Sequence, residues 1–174
     1  MEPPPSLLRA RDILAYNASP DLPHLSQLSP SGPDGGGQSN RLYHALLEAA
    51  FLVAAADGEL TREEIGELAD LIAQMTGQMV SPRELADSLI AYSEQLEQTG
   101  RAARIEALAS ACTDVGERRQ ILGFAALVAL CDQEIAPAEL FVLHSLGRAF
   151  RLHVLEVNDI VRTIRLELNQ RTSS

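Results

Sequence analysis

The stretch Asp57-Gly58-Glu59-Leu60-Thr61-Arg62-Glu63-Glu64 brings carboxylates closest to a ligand-holding pattern in this chain. An acid, a Gly, a Leu and a Thr followed by Glu look like the second half of an EF-hand calcium loop. A similar stretch, Asp132-Gln133-Glu134-Ile135 with Glu139 beyond it, stands 75 residues later. Calcium takes about six to eight oxygen ligands. With Asp57 at the fifth loop position, the first and third positions fall on Val53 and Ala55, which have no side-chain oxygen. In the second stretch the same positions are Val128 and Leu130. Ligand count therefore excludes an EF-type site. A divalent-metal site of another kind, built from Asp57 and Glu64 or from Asp132 and Glu139, is the one cofactor chemistry left. If the helices ending at the two turns ran antiparallel, ~16 residues at about 1.5 Å each would part the turns by roughly 24 Å and deny four carboxylates a common ion.

Helix capping accounts for the same residues. Gly58 is expected to end one helix in the left-handed conformation that favours glycine. Thr61 and Glu64 then form a capping box for the next helix, in which each side chain satisfies the other's backbone N–H. In the second stretch Pro137 suits the first helical turn and Glu139 the third position. Acids there also complement the positive end of the helix dipole.

Other reactive residues are scattered. The sequence has no Gly-rich phosphate loop, no His-Glu-x-x-His and no Cys-x-x-Cys. His24, His44, His144 and His153 are dispersed, and only Arg148 stands at helical spacing from His144. Cys112 and Cys131 lie among apolar residues without adjacent cations, which predicts buried, inert thiols in a reducing compartment. Nothing here assembles a catalytic constellation, so the chain reads as a non-enzyme. Arg118, Arg119, Arg148, Arg151, Arg162 and Arg165 are candidates for a basic patch, with Arg162 and Arg165 on one helix face. Without interleaved aromatics, such a patch suits a protein or phosphate contact better than nucleic acid.

The elements that must position these residues are helices. From Asn40 onward apolar residues recur with helical spacing, and no alternating segment supports a strand. A repeat runs through this region at an offset of 75. Leu52 to Leu60 aligns with Leu127 to Ile135, Ile65 with Leu140, Leu68 with Leu143, Leu71 with Leu146, and Met75 with Phe150. The match continues through Leu85 with Ile160 and Leu89 with Ile164. Each copy (41–97 and 117–172) reads as three helices. The first, Arg41 to Ala56 or Glu117 to Cys131, is apolar nearly all round and so must be buried on every side. The second starts at Thr61 or Pro137, the third near Ser81 or Asn158. Ser81-Pro82-Arg83-Glu84 is a strong start signal. A connecting helix, Arg101 to Thr113, completes an all-α bundle of about seven helices with an approximate internal dyad. Residues 1–40 hold seven of the nine Pro and four of the eleven Gly, which predicts a flexible tail ahead of the 41–174 domain.

The formal charge is -10, and all 14 cationic side chains are Arg, as in an Arg-favouring, GC-rich bacterial genome. Acids outnumber Arg 11 to 2 between His44 and Gly100, whereas nine of each follow from Arg101 onward. An anionic surface repels nucleic acid and anionic lipid. The acidic half, through Glu59, Glu63, Glu67 and Asp70, is the expected docking face for a protein partner, with Arg162 and Arg165 as a second contact. The apolar runs Ala49–Ala56 and Ile121–Cys131 are shorter than the roughly 20 residues of a membrane span. With no basic leader ahead of an apolar run, the expected location is the cytoplasm, and any membrane association is through a complex.

Ala54-Ala55-Ala56-Asp57-Gly58-Glu59-Leu60 followed by Glu63-Glu64, doubled at Asp132 to Glu139, resembles the TerB-like tellurite-resistance family over about Arg41 to Leu168. The resemblance implies a compact helical bundle of two related halves. It also implies a role in resistance to tellurite and other stress, exercised in cytoplasmic or membrane-associated complexes. Its acidic residues, proposed in the family as metal ligands, correspond to Asp57, Glu64, Asp132 and Glu139. Gln133 departs from the family's Gly.

Overall fold

The helical pattern is realised as seven α-helices among the described residues (36–75, 80–130 and 134–172) of the computed structural model. They are α1 (Gly36–Ala54), α2 (Arg62–Met75), α3 (Pro82–Thr99), α4 (Arg101–Ala111), α5 (Val115–Leu130), α6 (Pro137–Ala149) and α7 (Val154–Thr172). No strand occurs among those residues. The expectations for the tail up to residue 35, for Cys131 and for Asp132 and Gln133 lie outside them.

The two helices that read as apolar all round form the centre. Every residue from Ala45 to Val53 on α1 and from Ile121 to Leu130 on α5 is buried. These two helices make the most extensive contact in the molecule. Burial on all sides is the only arrangement that keeps such surfaces from water, worth about 25 cal/mol for each Å² removed.

The linker helix α4 sets how α1 and α5 meet. At its start, Arg101 Nη2 donates to the Ala55 carbonyl at the end of α1 (2.7 Å). One turn on, Arg104 reaches Glu48 in the middle of α1 (2.6 Å). The chain then enters α5, where Glu117 pairs with Arg41 in the N-terminal half of α1 (3.3 Å). α4 thus carries the chain back along α1, and the two central helices start at the same end. The antiparallel arrangement, with turns at opposite poles, is not adopted.

Several boundaries differ from the sequence reading. α1 begins at Gly36 rather than Arg41. α7 begins at Val154, four residues ahead of Asn158. The starts of α2 and α6 are 75 residues apart, but those of α3 and α7 are 72 apart. At the shorter offset Leu85, Leu89 and Tyr92 fall opposite Val157, Val161 and Ile164, all buried. A slip of three escapes a periodicity argument because residues three apart share a helix face. Gly58 adopts φ +155, not the left-handed helical value, and a Cβ there would meet nothing within 4 Å.

Packing differs between the copies more than local structure does. α2 lies chiefly along α3, whereas α6 touches α1, α4, α5 and α7. α6 and α7 approach so closely at their corner that a Cβ on Gly147 would lie 2.4 Å from Val157 Cγ2.

Candidate functional site

Two of the four carboxylates that suggested a metal site, Glu64 and Glu139, are engaged at helix starts. Glu64 Oε2 accepts from the Thr61 backbone N–H (2.7 Å), and Thr61 Oγ1 accepts from the Glu64 N–H (3.2 Å). The Thr61 backbone N–H first, and the Thr61 hydroxyl second, hold the Glu64 carboxyl below its ordinary pKa of 4.5. Glu139 Oε2 likewise accepts from the Ala136 N–H (2.8 Å), although Ala136 has no side chain to return the bond. Glu84 repeats the device at Ser81 (3.3 Å) and Glu156 at His153 (2.8 Å). Both second and both third helices of the repeat therefore start with a Glu three residues in that folds back on the chain. Asp57 is exposed, and Asp132 lies outside the described residues. Among the described residues no three His, Cys, Asp or Glu side chains converge as metal ligands.

The acids assigned to docking are placed differently. Glu59, Glu63, Glu67 and Asp70 are all exposed. The last three stand at i, i+4 and i+7 on α2 and share its outer face. None has an ion-pair partner among the described residues.

The six arginines do not act as one patch. Arg118 donates to three carbonyls, of Cys112 (2.5 Å), Ala109 (2.9 Å) and Phe150 (3.0 Å), tying the ends of α4 and α6 to the start of α5. Arg119 pairs with Glu156 on α7. Arg162 pairs with Asp159 (2.8 Å), both exposed, so its charge is locally matched. Arg148, Arg151 and Arg165 have no such partner among the described residues.

Sequence reasoning missed a polar cluster inside the first half. Glu48, only 8% exposed, is the buried charged residue of α1 and is held by Arg104. Beside it the Tyr92 hydroxyl meets His44 Nδ1 (2.9 Å) and donates to the His44 carbonyl (3.3 Å). Burial first, and Glu48 second, raise the Tyr92 pKa. Tyr43, next along α1, is pushed up to about 12 by burial and by Glu84. The signal available in sequence was Glu48 itself, a lone acid at an inward position of an apolar helix. Cys112 is fully buried, and desolvation raises its thiol pKa, the unreactive state expected for it.

No described helix is long and apolar enough to cross a membrane. The family model described as "Tellurite resistance protein TerB" matches residues 43–162, from α1 into α7 and across both acidic turns. No curated protein and no solved structure matches the chain.

Proposed function

This chain belongs to the TerB tellurite resistance family, and we propose that it is a non-catalytic module of a cytoplasmic stress response that docks a protein partner on the outer face of α2. The observation that carries this reading is the row formed by Glu63, Glu67 and Asp70, continued by Glu59, exposed and without an ion-pair partner among the described residues. Like charges one helical turn apart destabilise an isolated helix by a few tenths of a kcal/mol per pair. A basic partner surface relieves that repulsion, speeds encounter, and makes association fall with ionic strength. Helix caps occupy Glu64 and Glu139 without involving this face.

The test is the double charge reversal Glu63→Arg with Glu67→Arg. Both sites are exposed, so the variant should unfold within a few degrees of the parent. It should lose salt-sensitive co-purification of partners from the native host and lose tellurite tolerance in a complementation assay. Unchanged partner recovery and unchanged tolerance would refute the reading.

A further inference from the structure

At the corner between α6 and α7 a cleft of about 500 Å³ is lined on its polar side by His144, Arg148, Arg151, His153 and Glu156. A cleft of this size suits a small organic ligand. Its charge is opposite to that of the molecule as a whole. Arg148 and Arg151 have no ion-pair partner among the described residues. Glu156, the one acid in the lining, is already engaged by Arg119 and by the His153 backbone N–H. The His153 ring takes the Leu155 N–H on Nδ1 (3.2 Å), which puts its own proton on Nε2 as a donor. His144 and Arg148, four apart on α6, share a face.

Backbone geometry supplies an independent observation. Arg151 is the one described non-glycine residue with positive φ, at 59°. It occupies the left-handed position of a helix-ending motif closed by Leu152 N–H donating to the Gly147 carbonyl (2.9 Å). Glycine is the residue favoured there, so an arginine keeps a strained backbone while presenting a guanidinium to the cleft. Phe141, 69% exposed, continues the His144 face of α6 and offers an apolar surface beyond the cations.

We propose that this cleft binds the phosphoryl group of a small soluble phosphate ester, clamped by Arg148 and Arg151 with His153 as a further donor. Planar guanidinium groups match phosphate oxygens in pairs, which a scattered surface charge does not. This inference goes beyond the docking role of α2 and stands or falls separately from it.

The test is calorimetric titration of the full chain with pyrophosphate, beside retention on phosphatidylglycerol vesicles. Parent protein should bind pyrophosphate with a dissociation constant below about 1 mM and show no vesicle retention. Arg148→Gln and Arg151→Gly should each weaken binding roughly tenfold or more, whereas Arg165→Gln, on α7 outside the cleft, should not. Arg151→Gly relieves the left-handed strain, so its melting temperature should not fall and its lost affinity cannot be ascribed to unfolding. No heat with pyrophosphate at about 10 mM overturns the proposal. So does equal binding by all variants, and so does vesicle retention without pyrophosphate binding.

Discussion

The two three-helix halves, α1–α3 and α5–α7, start their outer helices with the same chemistry and fit them into different surroundings. Glu64 and Glu139 cap in the same way, as do Glu84 and Glu156. Yet α6 is gripped by four neighbours, while α2 rests chiefly on α3. Position 48 holds a buried acid paired with the linker helix, and its counterpart 75 residues on is Gly123. Duplicated sequence thus reproduces what a segment does to itself, namely its period, its caps and its turn. It does not reproduce what the segment touches. The linker α4 is present once and touches both halves, but its Arg104 serves position 48 of the first half alone. Charge follows the same division: among the described residues, acids on the outer face of α2 and cations at the α6–α7 corner have no ion-pair partner.

The comparison is broken most severely at Glu48. Glu48→Ala leaves Arg104 largely buried without its carboxylate and should cost about 3 kcal/mol of unfolding free energy in urea titration. Adding Arg104→Ala should bring little further loss, because the two residues act as a pair. Equal and additive losses would mean that the pair does not organise the first half.

A smaller effect tests the caps. Thr61→Ala should destabilise by about 1 kcal/mol, since it removes the acceptor for the Glu64 N–H. Ala136→Ser completes the box that Glu139 leaves half made, at a residue whose φ -64 and ψ 151 already suit a cap. It should stabilise by roughly 0.5–1 kcal/mol. Matching shifts of opposite sign in thermal melts would establish that the two starts differ by one hydroxyl.

The smallest effect is on pH. Glu64 and Glu156 both have folded pKa values below the ordinary 4.5. For Glu156 the His153 N–H is the larger cause and Arg119 the next. A lowered folded pKa adds stability above the unfolded value, and that stability is lost as pH falls through the folded one. Melting temperature should therefore decline below pH 4.5, and Glu64→Gln and Glu156→Gln should each flatten that decline. An unchanged acid limb in both variants would show that neither carboxylate is held by its cap in solution.

Much of this was legible in sequence. Thr61 with Glu64 and Ser81 with Glu84 identified helix starts because capping is decided within four residues. The unbroken apolar faces of α1 and α5 identified the centre because an all-apolar helix has nowhere else to go. Three things were not legible. The start of α7 was misplaced because a three-residue slip preserves the buried face. Sequence alone makes the six arginines from Arg118 to Arg165 candidates for a basic patch, whereas Arg118, Arg119 and Arg162 each find a local acceptor or acid in the fold. The cleft needed Arg151 and His153 beside His144 and Arg148, and no spacing rule crosses a helix corner.

By itself the sequence determined the helical period, the caps, the duplicated order of elements and the separation of acidic from neutral halves, all of which depend on neighbours along the chain. Tertiary structure alone decided that α1 and α5 start together, that Glu48 has Arg104 to neutralise it, and which charged groups stay unpaired. Those outcomes depend on distances between residues tens of positions apart, and the free energy of a charge is set by what lies within a few ångströms of it in space.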